Sequence, residues 1–259
     1  MSDLAVTWWG HATCTVELDG ARVLTDPLLL DRLAHLRRFA PTPPDEARTA
    51  DVVLVSHLHP DHLHVPSLRL VADGAVFVVP RGAAGYLQAA GVPSERVLEV
   101  VPGDRVDVAG VDVEVLPAAH DGHRHVLSRV TAPALGFRLA HGRRTLWFPG
   151  DTGLTDDMRD VDPVDLALAP VGGWGPTLPV THLGPAEAAV AVGRVGATHA
   201  VPVHYGTFWP RGMTRLQRHR RLFTEPGTRF AHQLTHRSPS TRPWVPGHGE
   251  RLVLPAVTP

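Results

Sequence analysis

The stretch Ser56-His57-Leu58-His59-Pro60-Asp61-His62 is the most informative part of this sequence. It follows an apolar run, residues 51–55, that predicts a short buried strand. Four side chains able to bind a metal fall within six residues, and the local chain geometry would crowd all of them around one tetrahedral ion. We therefore expect two neighbouring divalent ions, bound at the carboxyl end of a strand, where α/β sheets normally present ligands.

Three further candidate ligands lie in separate turns, at His120, Asp151 and His204. Each follows an apolar run that predicts a strand, as the first motif does. A lone histidine in a chain with 17 histidines is usually a solvated or core residue. A strand followed by a ligand at four places is instead typical of a site assembled from several strand ends, and imidazole and carboxylate suit zinc-like ions.

The surrounding sequence predicts strands in its first part, and Asp19-Gly20 predicts a two-residue hairpin turn between two of them. Strands are expected at residues 4–9, 12–18, 21–25, 51–55, 76–79, 106–108, 111–116, 135–139, 145–148 and 200–203. Helices are expected at residues 65–71, 83–90, 185–195 and 214–223. The Pro-rich tail after Ser238 is expected to be mostly irregular. This order favours two packed sheets with helices outside, formed as a single domain over residues 1–259.

The composition excludes several kinds of chemistry. All 25 basic residues among the 259 are arginine, so a Schiff-base lysine, a P-loop lysine and a Ser-Lys pair are absent. No Gly-x-Ser-x-Gly motif occurs. The net charge of −1 provides no global attraction to nucleic acid or to an anionic membrane. The single cysteine, Cys14, lies in an apolar segment and is expected in the core.

The sequence shows neither a secretory signal nor a run of the ~18 apolar residues that a membrane span needs. We therefore expect a cytoplasmic protein without a transmembrane segment. Its expected partner is a small-molecule or lipid-like substrate, and its oligomeric state stays open.

These motifs resemble the metallo-β-lactamase superfamily, whose signature is His-x-His-x-Asp-His followed by a distant His, Asp and His. The resemblance covers nearly the whole chain and implies an α/β (α+β) fold, a four-layer αβ/βα sandwich. It also implies that one ion is bound by His57, His59 and His120. The same resemblance gives the second ion to Asp61, His62 and His204, with Asp151 bridging both.

Four more segments resemble the branch that contains N-acylphosphatidylethanolamine phospholipase D and ascorbate-6-phosphate lactonase. They are Trp9-Gly10-His11-Ala12-Thr13, Thr25-Asp26-Pro27, His182-Leu183-Gly184-Pro185-Ala186-Glu187-Ala188 and Val203-His204-Tyr205-Gly206-Thr207-Phe208. The chain differs from the phospholipase at Pro60 and His64, where the phospholipase motif has tyrosine and aspartate. His59 occupies a position that redox members of the superfamily fill with glutamate, which favours hydrolysis.

Two metal ions ~3.5 to 4 Å apart can share a bridging hydroxide, which is the expected nucleophile. Asp61 and Asp151 are expected to act in catalysis as well as in metal binding. His182 is expected to donate a proton to the substrate or leaving group, with a supporting or capping role as the alternative. Asp26 is expected to orient a ligating imidazole. The ions are expected to be zinc, with manganese or iron as alternatives.

Other residues carry weaker expectations. His11 is expected to tie two strand ends together, His123 and His125 to face the cleft or the solvent, and Trp174 to form a pocket wall or pack against loops. His232 and His236 have helical spacing but lack the glutamate of a zinc protease motif. An arginine-rich run is expected to form a solvated helix face, with phosphate or RNA binding as the alternative; its residues are Arg211, Arg215, Arg218, Arg220 and Arg221.

The preferred function is hydrolysis of a phosphodiester. Opening of a lactone or hydrolysis of another carboxylic ester is the alternative, because the ligands do not distinguish a phosphoryl from a carbonyl target. An RNA-processing nuclease and a metal-binding regulator without turnover are the remaining hypotheses.

Overall fold

The computed structural model describes residues 4–125, 127–173, 178–210, 212 and 220–254. Seven strands form the first sheet, in the order β17-β1-β2-β3-β6-β7-β8. They are β1 (Leu4–Gly10), β2 (Thr13–Leu18), β3 (Ala21–Thr25), β6 (Val52–Leu54), β7 (Val76–Pro80), β8 (Val97–Val100) and β17 (Arg251–Leu254). The strands from β17 to β3 pair antiparallel, and those from β3 to β8 pair parallel.

The second sheet also has seven strands, in the order β16-β14-β13-β12-β11-β10-β9. They are β9 (Arg105–Val108), β10 (Val111–Pro117), β11 (Leu135–His141), β12 (Arg144–Phe148), β13 (Leu166–Pro170), β14 (His199–Val203) and β16 (Arg242–Pro243). A small third sheet contains β4 (Arg32–Leu33), β5 (Leu36–Arg38) and β15 (Phe208–Pro210).

The helices that the structure describes are short. The α-helices are α1 (Val65–Leu68), α2 (Ala84–Ala89), α3 (Pro185–Val195) and α4 (Pro226–Arg237). Turns of 3-10 helix occupy Asp45–Arg48, Ser94–Arg96 and Asp156–Arg159, and a π-helical turn occupies Arg220–Thr224. None of the described helices is long and apolar enough to cross a bilayer.

Three apolar clusters explain how these layers are held together. The largest combines residues of both sheets, among them Val16 and Phe137, and fills the space between them. A second cluster joins the first sheet to α1 and α2 through Leu68 and Leu87. A third joins the second sheet to α3 and α4 through Val192 and Phe230. The layers therefore run helix, sheet, sheet, helix, which confirms the predicted four-layer sandwich.

Most predicted elements are present, and the hairpin turn at Asp19-Gly20 is confirmed by the pairing of Leu18 with Ala21. The helix predicted at residues 65–71 was too long. It ends at Leu68 and continues in turns bonded from residue i to i+3, before Gly74 redirects the chain with a φ of 102°. The strands β4, β5, β13 and β15 were not predicted.

The described part of the tail after Ser238 is mostly irregular, as predicted, but it contains two short strands that were not predicted. After Ser238 the chain contributes β16, which pairs with β14, and β17, which pairs with β1. These partners are distant along the chain, so no local pattern signals the pairing. Of the helix predicted at residues 214–223, residues 214–219 lie outside the described part of the chain.

Candidate metal centre

The candidate ligands lie where strands end, at the edge between the two sheets. The first motif follows β6, His120 comes after β10, Asp151 after β12 and His204 directly after β14. The chain turns sharply at these points, and His204 adopts a φ of 66°, in the left-handed region that non-glycine residues seldom occupy. The predicted assembly of a site from several strand ends is the arrangement that the structure has.

Three imidazoles meet on one side of the site. Nε2 of His57 lies 3.0 Å from Nδ1 of His59, and Nε2 of His120 lies 3.1 Å from the same nitrogen. We call these residues the three-histidine group. Their nitrogens lie close enough together to share one metal ion.

A carboxylate and two imidazoles meet on the other side. Nε2 of His62 lies 3.1 Å from Nε2 of His204. Oδ2 of Asp61 lies 3.7 Å from the His62 nitrogen and 3.9 Å from the His204 nitrogen. We call Asp61, His62 and His204 the mixed group, and its ligand atoms also lie close enough together to share an ion.

Asp151 lies between the two groups. Its Oδ2 is 3.2 Å from Nε2 of His204 and 3.4 Å from Nε2 of His62, and Asp151 also clusters with His57 and His120. Its Oδ1 is buried without a hydrogen-bond partner among the residues that the structure describes. A buried carboxylate oxygen without a donor is costly, and a cation satisfies it. The donor set of imidazoles and carboxylates therefore fits divalent, zinc-like ions.

The electrostatics favour the protonation states that bind metals. Burial alone would raise the pKa of Asp151, but the imidazoles of His204 and His62 hold it well below its ordinary value. Burial lowers the pKa of His57 well below its ordinary range and that of His120 to about 4. Ionised carboxylates beside neutral imidazoles are the forms that coordinate divalent ions.

His62 is the exception. Burial lowers its pKa, but the nearby carboxylates of Asp151, Asp61 and Asp26 together raise it well above its ordinary value. A cation that binds at this imidazole therefore has to displace a proton.

A second set of hydrogen bonds holds the imidazoles in place. Asp26 Oδ2 lies 2.6 Å from Nδ1 of His62 and also accepts a hydrogen bond of 2.6 Å from the Ser56 hydroxyl. The same hydroxyl lies 2.9 Å from Nδ1 of His57. Sequence reasoning named Asp26 but missed Ser56, because a serine before a ligand motif carries no distinctive signal.

Two backbone carbonyls orient the remaining imidazoles. The oxygen of Thr181 lies 3.0 Å from Nδ1 of His120, and the oxygen of Gly172 lies 3.1 Å from Nδ1 of His204. In each case the bonded Nδ1 leaves Nε2 directed toward the site, which is the arrangement of a ligating histidine.

His182 comes from the loop before α3 and reaches the same centre. Its Nε2 lies 3.4 Å from Oδ2 of Asp151, and its ring centroid lies 4.7 Å from that of His120. The side chain is 13% exposed, so it lies between the buried groups and the solvent.

The other predicted residues contribute less. His123 pairs with Asp121 at 2.6 Å, and its side chain, like that of His125, is exposed. His232 and His236 lie on the exposed face of α4, away from these groups. Trp174 and three residues of the arginine run lie outside the described residues; these three are Arg211, Arg215 and Arg218.

The comparisons with known proteins agree with this fold. Residues 21–205 match the model of the Beta-lactamase superfamily domain. The chain therefore belongs to this superfamily. Its fold is of the metallo-β-lactamase type, as the resemblance in the sequence implied.

Particular relatives refine that class. An uncharacterized protein of Mycobacterium tuberculosis is 35% identical over 80% of this chain, which spans 60% of that relative's length. A UPF0173 metal-dependent hydrolase of Methanopyrus kandleri is 34% identical, and the match covers 80% of this chain and 86% of that relative's length. The N-acyl-phosphatidylethanolamine-hydrolyzing phospholipase D 1 of Caenorhabditis elegans is 30% identical over 82% of this chain and 66% of its own.

A solved structure shows the same fold. The metallo hydrolase Igni18 of Ignicoccus hospitalis superposes with a TM-score of 0.69 at 20% identity, covering 98% of this chain and 99% of its own.

Proposed function

We propose that this chain hydrolyses a phosphodiester at a centre that binds two divalent metal ions, with zinc as the expected metal and manganese or iron as alternatives. The position of Asp151 is the observation that carries the proposal. Its Oδ2 lies near imidazoles of the mixed group, it clusters with His57 and His120 of the other group, and its buried Oδ1 has no donor in the described chain. One carboxylate with an oxygen to spare is well suited to bridge two ions.

The proposed ligands follow the two groups. The three-histidine group would bind one ion, the mixed group the other, and Asp151 both. When bound, such an ion pair supplies Lewis acidity, which generates a nucleophile from water at neutral pH and offsets charge on the attacked oxygens. In catalysis Asp151 would fix the separation of the two positions, and Asp61 would help to hold the ion of the mixed group.

The proposed role of His182 is to donate a proton to the leaving group. Its contact with Asp151 keeps the imidazole next to the bridging position, and its partial exposure leaves room for a substrate beside it. No side chain of the protein needs to act as the nucleophile.

Two observations favour a phosphodiester with an apolar portion. The Caenorhabditis elegans relative is a phospholipase D by its name, and it matches most of this chain. In addition, Val180 and Leu127 are 93% and 88% exposed, on the loop that leads to His182 and on the loop that follows His120. Apolar side chains exposed on such loops suit the hydrocarbon part of an amphipathic substrate.

The test compares hydrolysis of bis(p-nitrophenyl) phosphate and of a lactone by zinc-loaded and manganese-loaded protein. Asp151→Asn is the test variant, and Asp112→Asn is the matched control. Asp112 lies near the start of β10, where it forms an ion pair with Arg105 and contacts none of the described candidate ligands. Phosphodiester turnover that Asp151→Asn abolishes and Asp112→Asn retains would support the proposal. Turnover of the lactone alone would replace it with carboxylic ester chemistry. Equal activity of both variants would reject the site.

The role of His182 needs a separate comparison of leaving groups. We expect His182→Gln to lower kcat about 10²-fold for a phosphodiester with an alkyl alcohol as leaving group, since general acids typically contribute 10²–10⁴-fold. Turnover of the p-nitrophenyl ester should change little, because p-nitrophenolate leaves without a proton. An equal loss for both substrates would contradict proton donation.

A further inference from the structure

His11 follows the end of β1, and its buried side chain reaches the mixed group. Nε2 of His11 lies 2.9 Å from Oδ2 of Asp61. The same carboxylate oxygen faces the imidazoles of His62 and His204, at 3.7 and 3.9 Å. The side chain that the sequence assigned to tying strand ends together therefore also contacts a candidate ligand.

The backbone of His11 is fixed from both directions. Its N–H donates a hydrogen bond of 2.6 Å to the hydroxyl of Thr207. Its carbonyl accepts hydrogen bonds from the indole N–H of Trp8 at 2.9 Å and from the backbone N–H of His204 at 2.8 Å. These contacts hold a φ of 51°, which a non-glycine residue seldom adopts without such support.

We infer that His11 is a positioning residue for the mixed group: its Nε2–H donates to Asp61 and fixes the carboxylate oxygen that faces His62 and His204. The inference rests on the proposed two-ion function. The side chain of His11 positions the carboxylate of Asp61, and its backbone carbonyl accepts a hydrogen bond from the N–H of His204. One residue therefore positions two members of the mixed group.

The direction of this hydrogen bond follows from the chemistry of its partners. An ionised carboxylate accepts hydrogen bonds and cannot donate them, so the imidazole must supply the hydrogen. A nitrogen that carries a hydrogen has no lone pair for an ion. His11 is therefore a support of the mixed group and does not bind the ion through Nε2.

Packing is the competing explanation. The ring centroid of His11 lies 4.0 Å from that of His204, so the ring also fills space beside a candidate ligand. Two variants separate the roles. Glutamine can present an amide N–H near the position of Nε2, whereas methionine has a similar length and no donor. Both variants place a non-glycine side chain at the same left-handed position, so the backbone strain is similar in the two proteins.

The experiment measures bound zinc per chain by inductively coupled plasma mass spectrometry and the stepwise Kd by competition with a chelating dye. All proteins carry His236→Gln and no affinity tag. The ring centroids of His232 and His236 lie 5.0 Å apart on the exposed face of α4, and such a pair could bind an extra ion.

We expect the parent protein to bind two ions and His11→Gln to retain both. In His11→Met the dissociation constant of the weaker site should rise about 10- to 100-fold. This is the range for loss of a residue that orients a ligand. Parent-like binding in His11→Met would overturn the inference, as would equal weakening in both variants. A parent that binds one ion would reject the two-ion proposal by itself.

A second readout tests the hydrogen bond in the unaltered protein. In zinc-loaded, ¹⁵N-labelled protein, an NMR resonance for a proton on Nε2 of His11 is expected, assigned by its loss in His11→Gln. Absence of a proton on that nitrogen, with Nδ1 protonated instead, would overturn the inference. This measurement decides the matter even if His11→Met does not fold or the parent binds a single ion.

Discussion

Oδ2 of Asp26 lies 2.6 Å from Nδ1 of His62, and both side chains are completely buried. The contact fixes the ring so that Nε2 points toward His204 and Asp151. The Asp26 carboxylate also accepts hydrogen bonds from the backbone N–H of Ser56, at 2.7 Å, and from the Ser56 hydroxyl. Since that hydroxyl contacts His57 as well, a single carboxylate supports imidazoles of both candidate groups.

We expect Asp26→Asn to weaken zinc binding about 10- to 100-fold while leaving the fold intact, as for other residues that orient metal ligands. The backbone φ of 33° at Asp26 suits asparagine, but the amide nitrogen cannot accept a hydrogen bond from His62. Chelator competition measures the affinity, and circular dichroism checks the fold. The surface variant Asp112→Asn should bind zinc normally. Unchanged affinity in Asp26→Asn would show that the contact does not orient the imidazole.

Removal of the metal should destabilise the protein, because Asp61 and Asp151 are buried and the free carboxylate oxygen of Asp151 loses its expected partner. A ligand at 100 times its Kd stabilises a fold by about 2.7 kcal/mol, which corresponds to roughly 5–10 °C for a chain of this size. We expect a chelator to lower the Tm by that amount and added zinc to restore it. In Asp151→Asn the zinc-dependent shift should be clearly smaller. Equal shifts in both proteins would place the bound metal elsewhere.

The parts of the site that the sequence predicts are those with a local signal. His57 to His62 form a dense motif after an apolar strand, and His120, Asp151 and His204 follow strands of their own. Ser56 and the Asp61 contact of His11 have no such signal. The latter joins residues 50 positions apart, and its geometry depends on how the chain after β1 meets the motif that follows β6.

The same reason explains what the sequence leaves out of the fold. The strand β17 is short and pairs with β1, from the opposite end of the chain. Its assignment depends on tertiary pairing, because four residues of alternating character are too few for a periodic signal.

Arg124 shows another long-range contact that affects the site. Its Nη1 donates to the carbonyls of Leu58 and Leu63, the latter at 2.7 Å, and its guanidinium lies 4.9 Å from the ring centroid of Tyr86. These bonds join the loop after His120 to the first ligand motif. We expect Arg124→Met to loosen that motif, because two buried carbonyls lose their donor.

Hydrogen–deuterium exchange with mass spectrometry measures this effect. In Arg124→Met, peptides that cover residues 58–64 should exchange faster than in the unaltered protein, with little change in β10 and β11. The control is Arg105→Met, which removes an exposed arginine paired with Asp112. Exchange that rises equally over the whole chain would indicate global destabilisation, and unchanged exchange at 58–64 would contradict a role in holding the motif.

Cys14 is fully buried in β2, and burial raises the pKa of its thiol far above the ordinary value. Because the thiolate is the reactive form, iodoacetamide should leave the folded protein unmodified at pH 8. Intact-mass spectrometry should detect one added carbamidomethyl group only after denaturation in guanidinium. Rapid modification of the folded protein would mean that the strand opens readily at this position.

His248 should make stability depend on pH in the acidic range. Its ring stacks on Trp8 with centroids 4.2 Å apart, and burial, aided by the charge of Arg38, lowers its pKa to about 4. Between pH 6.5 and 4 the unfolded chain therefore binds a proton at this residue that the folded chain does not, so the free energy of unfolding falls as the pH falls. His248→Phe keeps an aromatic ring on Trp8 but cannot titrate. Its urea midpoint should decrease less between pH 7 and pH 5 than that of the unaltered protein, and parallel pH profiles would contradict a neutral, half-buried His248.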